Sequence, residues 1–271
     1  DVKNISNLAS VFATEEPELV FHAAALKHVP LSEENPVQAL LTNVVGTRNV
    51  AELSIKYGAK EMVMISTDKA VNPTSIMGAT KRLAEYYCQC LSEENNSTTK
   101  FIAVRFGNVL GSAGSVVPLF QRQLARGGPI TVTHPDMTRY FMTIREAVEL
   151  VLMASAIGKV KEGGTFVLDM GRPVHIKDLA IQVIKLAGLK PDIDIKIEYT
   201  GIRPGEKLYE ELFYDYENPK PTEVERVMKA LPAELDIKEI KKKIDDICND
   251  AEGKGDKIRE SIKAIMPEYS F

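Results

Sequence analysis

Ser66-Thr67-Asp68-Lys69 sets two hydroxyls, a carboxylate and an amine side by side where an apolar run, residues 61 to 65, ends. Such groups carry protons to and from a substrate when they share a site. Asn72-Pro73-Thr74 makes a loop, and a helical pattern follows in which Met77 and Lys81 lie four residues apart, on one face. In an open α/β sheet, ligands sit outside the carboxyl ends of the strands, so chemistry is expected at this junction. The plain alternative is a polar turn in which Thr67 or Asp68 caps a helix and does nothing more.

The elements that must position these groups follow from hydrophobic period. Residues 4 to 15 read as a helix (Ile5, Leu8, Val11, Phe12) stopped by Pro17. Residues 19 to 22 form a short apolar strand ending in Ala23-Ala24-Ala25, small enough for a backbone or flat ligand to approach, or simply for tight packing. A long helical period covers residues 36 to 57, with Gly58 as its C-cap. The strand at 61 to 65, a helix over 78 to 91 and a buried strand over 101 to 106 come next. Helices alternating with strands in this way predict a parallel, doubly wound α/β sheet.

Beyond residue 106 lies a glycine-rich loop, then helices over 118 to 126, 143 to 157 and 176 to 187 and strands over 130 to 133, 165 to 169 and 193 to 199. Thr143 with Glu146 is a capping box. The loop GIRPGEKLYEEL gathers Arg203, Glu206 and Lys207, and charged amphipathic helices over 236 to 250 and 257 to 265 flank a Gly-Lys-Gly linker. Their lysines and glutamates read as a solvated face. Three regions are expected: 1–110, the C-terminal part of a dinucleotide-binding domain; 111–232, a smaller substrate-binding α/β region with segments returning to the first; and 233–271, a helical tail.

With 271 residues, net charge −4 and 27% charged residues, the chain reads as an ordinary globular protein without a broad nucleic-acid surface. Cys88, Cys90 and Cys248 cannot form a disulfide framework and read as buried thiols in a reducing compartment. No export signal or apolar run of membrane-spanning length occurs. His22 and His28 lack metal-ligand spacing, so no metal is expected. Gly107, Gly111 and Gly114 superficially suit a dinucleotide fingerprint, but strands already precede them and no acidic residue closes the next strand. A loop on the substrate side is expected there.

These pieces resemble the extended short-chain dehydrogenase/reductase superfamily and, within it, the UDP-N-acetylglucosamine 4,6-dehydratases of capsular and surface polysaccharide synthesis. The resemblance rests on FHAAALKHVPLSEENP, NVVGTRNV, ISTDKAVNPTSIMGATKRLAE, VRFGNVLGSAGSVVPLF, MTRYFMTIREAVELV and GIRPGEKLYEEL, which run through nearly the whole chain. It implies a Rossmann-like sheet whose first βα units, roughly 60 residues, precede Asp1. It implies bound NAD or NADP, a UDP-sugar substrate, a homo-oligomer, and a cytoplasmic setting in which a membrane anchor could precede Asp1. The superfamily's Tyr-x-x-x-Lys is Met77-x-x-x-Lys81 here, and methionine has no proton to exchange.

The implied reaction oxidises C4 of the sugar, removes the C5 proton, expels the C6 hydroxyl as water and reduces C6. By this resemblance Asp68 handles the C6 hydroxyl proton and the 4-hydroxyl proton, Lys69 is the base at C5, and Thr67 bonds the 4-oxygen. Lys69 must then be neutral, so its pKa is expected to fall through burial and nearby cations. Lys81 would bind the nicotinamide ribose, with Asp1, Val2, Ala23, Ala24, Ala25 and Asn43 also facing the cofactor. Lys27, Asn108, Arg203 and Glu206 would hold the substrate, Arg203 by pairing two diphosphate oxygens. Without the resemblance, Arg203 and Glu206 read as a surface ion pair. Competing readings are a nucleotide-sugar C4 epimerase and a non-catalytic UDP-sugar-binding domain. The first needs the missing tyrosine, and the second has no use for Thr67, Asp68, Lys69 and Lys81 together.

Overall fold

The computed structural model describes residues 1–94, 98–157 and 163–271, apart from the side chains of Lys254 and Asp256. Its centre is a six-stranded sheet in the order Leu19–His22, Glu61–Ile65, Lys100–Arg105, Gly164–Leu168, Val227–Lys229, Lys220–Pro221. The first four strands are parallel and the last two antiparallel.

Side chains alternate across a strand, so one strand feeds two cores. Met62, Met64, Phe101 and Ala103 point to one face, under the helices Gly46–Lys56 and Ile76–Glu93. Val63, Ile102 and Val104 point to the other, against Ala147, Leu150 and Val151 of the helix Ile144–Ala156. Helices on both faces of a mostly parallel sheet are the doubly wound architecture expected. A third core, around Phe120, Ile130, Val132, Ile176, Ala180 and Ile184, belongs to the smaller region and its parallel strand pair, Ile130–Val132 with Ile197–Tyr199.

Several elements depart from the sequence reading: the strand expected over 193 to 199 is only Ile197–Tyr199, and the sheet strands Val227–Lys229 and Lys220–Pro221 were not expected. The single helix expected over 36 to 57 is broken into Pro36–Leu40, a π turn at Leu41–Val45, and Gly46–Lys56. π turns cluster at functional sites, and this one carries Asn43. A short helix, Val29–Glu34, forms where no period announced it, with Pro30 in its first turn. The Gly-Lys-Gly stretch is helical, Ala251–Lys254 followed by a 3-10 turn, and not a linker.

The tail helices Ile237–Asn249 and Ile258–Ile265 bury Ile244, Ile247, Ile258, Ile262 and Ile265 in the first core, beside the helix Ile76–Glu93. Their charged faces remain outside, so the reading of a solvated face holds for one side only. Cys88, Cys90 and Cys248 are free and buried.

Candidate active site

The strand Glu61–Ile65 does not stop its ladder at Ile65. Ser66 N–H donates to Val104 (2.8 Å) and Asp68 N–H donates to Phe106 (3.0 Å), which carries the backbone past the sheet edge in a fixed direction. The chain then tightens into a 3-10 turn, Asp68–Ala70, capped by Thr67, whose Oγ1 accepts from Lys69 N–H. The helix Ile76–Glu93 follows, with Ser75 as N-cap and Glu33 Oε1 accepting from Ile76 N–H at 2.7 Å. A carboxylate at that end suits the helix dipole. Gly78 in the first turn rides directly on the Lys69 carbonyl: a Cβ there would lie 2.1 Å from the oxygen. Only glycine permits this approach, so it fixes Lys69 against the helix that carries Met77 and Lys81.

Thr67, Asp68, Lys69 and Asn108 meet at this corner. Thr67 Oγ1 donates to Asp68 Oδ1 (2.9 Å), and Lys69 Nζ donates to the same oxygen (3.0 Å) and to Asn108 Oδ1 (3.3 Å). Asp68 is fully buried, and its Oδ2 has no hydrogen-bond partner. That oxygen faces Gly107, where a Cβ would come within 3.2 Å of it. The glycine loop is therefore part of the site: Gly107 makes room for Asp68, and Asn108 reaches Lys69.

Two groups at this corner gave no signal in the sequence. Glu210 Oε1 lies 3.5 Å from Lys69 Nζ and 3.5 Å from Arg139 Nε. Arg139 in turn donates to the carbonyls of Lys207 (2.8 Å) and Leu208 (3.3 Å), docking the loop that holds Glu206 and Glu210. Lys207 Nζ donates to the Val71 carbonyl (2.9 Å) and Thr74 Oγ1 to that of Gly205 (3.1 Å), so the loop closes over the turn that bears Asp68 and Lys69. A cleft between them is lined by Lys69, Thr74, Ser75, Arg139, Glu206 and Glu210.

The charge state of Lys69 corrects the sequence expectation. Burial acts to lower its pKa, but the carboxylates of Asp68 and Glu210 outweigh burial and the repulsion of Arg139, and raise it. Lys69 is an ammonium in this state, not the neutral amine a C5 base requires. Burial acts on Glu210 in the opposite sense for a carboxyl and pushes it up, aided by Asp68 and opposed by Lys69 and Arg139.

Lys81 lies apart from that corner. It is 4% exposed and its amine has no hydrogen bond or ion pair among the described residues. Burial lowers its pKa to about 8, against the weaker opposing pull of Glu85 and Cys88. Lys81 also lies near His22, which burial and then Lys81 itself push down to about 4. His22 is a satisfied core residue, its Nε2 2.9 Å from Thr47 Oγ1. Because Lys81 holds its proton less tightly folded than unfolded, stability is expected to rise as pH climbs from about 8 towards 10.5. The gain is of order 3 kcal/mol for a shift of this size. Urea midpoints of the cofactor-free protein and Lys81→Met over that range measure it: the gap should move in the wild type's favour as pH rises.

Asn43, expected to face the cofactor, acts as a clamp within the fold. It is fully buried, its amide donates to the Leu26 carbonyl (3.1 Å) and Thr80 Oγ1 (3.0 Å), and its Oδ1 accepts from Leu26 N–H (2.8 Å). One amide bond holds the loop after the first strand, where Ala23 and Ala24 are exposed and Ala25 half-buried, and the other ties it to the helix Ile76–Glu93 through Thr80. Asp1 is exposed, and Val2 packs beside Gly46 with its carbonyl accepting from Asn49 at 3.0 Å. Lys27 is exposed. Arg203 and Glu206 do not form the surface ion pair of the simpler reading: Glu206 Oε2 accepts only from the Arg203 backbone N–H (3.5 Å), and the guanidinium projects to solvent. Among the described residues no cluster of His, Cys, Asp or Glu could hold a metal, and no helix is long and apolar enough to cross a membrane.

Behind the site lies a buried charge network. Arg105 donates to Glu85 (Nη2 to Oε2, 2.8 Å) and to Glu217 (Nη1 to Oε2, 2.8 Å), and Arg82 donates to Glu85 at 2.7 Å. Ser66 Oγ donates to Glu85 Oε1 at 2.5 Å, joining the network to the strand end that bears Asp68. Burial would raise the Glu85 pKa, but Arg105 and Arg82 bring it down to about 2. Tyr214 OH donates to the Ala70 carbonyl at 2.9 Å, bracing the turn Asp68–Ala70.

A Rossmann-like sheet with an Asp-Lys pair at a strand's carboxyl end and Met77-x-x-x-Lys81 on the next helix defines an extended short-chain dehydrogenase/reductase. Residues 1–232 match the family described as polysaccharide biosynthesis protein, and the chain belongs to that family. It is 59% identical over 212 residues to the capsular polysaccharide biosynthesis protein CapD of Staphylococcus aureus, a match covering 78% of this chain and 35% of CapD. The UDP-N-acetylglucosamine 4,6-dehydratase (inverting) of Campylobacter jejuni is 33% identical over 264 residues, covering 97% of this chain and 74% of that protein. The UDP-glucose 4-epimerase of Rickettsia canadensis is 39% identical over 216 residues, covering 78% of this chain and 60% of that one. Among solved structures, Pen from Bacillus thuringiensis superposes with a TM-score of 0.75 at 39% identity, covering 87% of this chain and 71% of that one.

Proposed function

We propose that this chain carries the catalytic centre of a nucleotide-sugar 4,6-dehydratase that converts UDP-GlcNAc to a UDP-4-keto-6-deoxy-HexNAc, for bacterial polysaccharide or glycan synthesis. The observation that carries the reading is the buried Asp68–Lys69 pair at 3.0 Å, with Lys69 also bonded to Asn108 and lining the cleft, in a chain where Met77 stands at the place of the superfamily's tyrosine. Two adjacent proton carriers suit an elimination; an epimerisation at C4 needs one base on the 4-hydroxyl and nothing at C5.

The residues present fit NAD. The buried, unpartnered amine of Lys81 and the exposed backbone at Ala23 and Ala24 offer a donor and a flat surface, and Asp1, Val2 and Ala25 complete the set that would hold it. Bound there, NAD would supply the hydride chemistry, oxidation at C4 and reduction at C6. Asp68 takes the 4-hydroxyl proton and delivers it to the C6 oxygen, which leaves as water, while Thr67 bonds the 4-oxygen. Lys69, once neutral, takes the C5 proton made acidic by the neighbouring ketone and returns it to C5, so the protons balance over a turnover. Each transfer of this kind is worth about 10²–10⁴-fold. Asn108 and Lys27 contact sugar or phosphate, Arg203 pairs diphosphate oxygens, and Glu206 accepts from the uridine ribose.

Incubation of the full-length protein with NAD and UDP-GlcNAc, followed by mass spectrometry, tests the proposal. Loss of one water with no net redox change is expected. An isomerised sugar of unchanged mass would point to the C4 epimerase reading, which the similarity to the Rickettsia enzyme favours and Met77 opposes.

A further inference from the structure

The reaction proposed above needs a neutral Lys69, and the structure holds an ammonium. The proton must therefore have somewhere to go. Asp68 also has a free oxygen, Oδ2, but the proposed reaction assigns its carboxylate to the sugar hydroxyls, so it cannot hold the Lys69 proton at the same time. Asn108 has no basic group. The remaining neighbour is Glu210: its Oε1 lies 3.5 Å from Lys69 Nζ, and its Oε2 is buried without a partner.

We propose that Glu210 is the proton partner of Lys69, fixing the ammonium while the cleft is open and accepting its proton when a sugar fills the cleft. The inference rests on the dehydratase reading for its role in turnover, though the pairing itself does not. The step balances simply: the Lys69 N–H bond breaks, an O–H bond forms on Glu210, and a charged pair becomes a neutral one. Filling the cleft removes water from both groups, and desolvation favours the neutral pair. The charged groups facing Glu210 set the balance. Lys69, Arg139 and Lys207 favour its anion, and Asp68 opposes it. Arg139 is shared with the loop backbone, so it holds the Glu210 side chain in place without neutralising it fully. Burial raises the proton affinity of this carboxyl, as a proton sink requires. Lys69 then works as the base at C5, and the proton returns from Glu210 when product leaves. Glu210 acts through Lys69 and is a positioning residue in that sense.

Glu210→Gln keeps the shape of the side chain but cannot take a proton. In the full-length protein, NMR titration of the lysine side chains should show the Lys69 pKa falling by roughly 1–3 pH units in Glu210→Gln, with Glu210→Asp restoring most of the shift. With NAD and UDP-GlcNAc in D₂O, Glu210→Gln should bind the sugar nucleotide within a few-fold of wild type. It should lose C5 hydrogen exchange and turnover by about 10²-fold or more, with partial rescue in Glu210→Asp. An unmoved Lys69 titration overturns the pairing whatever the reaction turns out to be. A shifted titration with wild-type C5 exchange overturns the relay. A wild-type protein that releases no water overturns the dehydratase reading instead, and the titration still decides the pairing.

Discussion

Lys69→Arg is expected to fold, to bind UDP-GlcNAc within a few-fold of wild type, and to lose turnover by about 10²–10⁴-fold. Arginine preserves the positive charge between Asp68 and Glu210, which lie 3.0 and 3.5 Å from the wild-type amine. It does not give up a proton at any accessible pH, so it can satisfy the two carboxylates but cannot serve as a base. Lys69→Ala should lose turnover equally, with the added cost of two buried carboxylates left without their cation. Calorimetric binding of the sugar nucleotide beside a mass-based turnover assay separates the two variants. Turnover by Lys69→Arg at the wild-type rate would remove Lys69 from the proton chemistry.

The second large effect is on stability. Arg105→Met should destabilise the protein by about 3–5 kcal/mol, the usual cost of breaking a buried ion pair from one side. The guanidinium is fully buried and holds apart Glu85 and Glu217, whose side chains are 1% and 2% exposed. Arg82 remains to serve both, but at 3.6 Å from Glu217 it is no replacement. The sign with pH is fixed by Glu85. Its pKa is depressed from 4.5 to about 2, so its contribution is fully present above pH 4.5 and lost as pH falls through about 2. Urea denaturation should therefore show the widest gap between wild type and Arg105→Met near neutrality and a narrowing gap below pH 4.5. A constant gap would mean that packing, not charge, accounts for the loss.

The parts of the site that could be read from the sequence were those whose neighbours in space are neighbours in the chain. Thr67, Asp68 and Lys69 are consecutive, and Met77 and Lys81 share a helix turn, so each group is held together by its own local element. Glu210 was out of reach because it sits in Tyr209-Glu210-Glu211, a run that looks like solvated surface. Glu211 does lie at the surface, paired with Lys207, while Glu210 turns inward to Lys69. Nothing local separates the two glutamates; docking of the loop by Arg139 does. Arg82 and Glu85 have the spacing of an ordinary exposed helix pair, yet the tail helices and Tyr214 cover that helix, and Arg82 stacks on the rings of Tyr86 and Tyr214. Arg105 was the one visible hint of the network, a charge inside an otherwise apolar strand. The neutral state expected of Lys69 failed because a pKa depends on who stands nearby: the adjacent Asp68 does most to hold the proton, and Glu210, brought in by a distant loop, adds to it.

The tail has a consequence for where this protein can be divided. The family match ends at residue 232, yet Arg259 donates to Glu33 (2.6 Å), the carboxylate that caps the catalytic helix, and Tyr86 donates to Glu268 (2.6 Å). Ser270 N–H reaches the Pro73 carbonyl (3.1 Å), in the loop that follows Lys69. The stretch that the family model covers is thus shorter than the stretch whose contacts hold the site's helix and loop in place. A piece cut at 232 would carry every residue assigned to catalysis and still present a bare apolar helix face to water. For expression, for domain grafting and for interpreting truncations, the working unit includes the residues that hold Pro73 and Glu33, beyond the stretch that the family model covers.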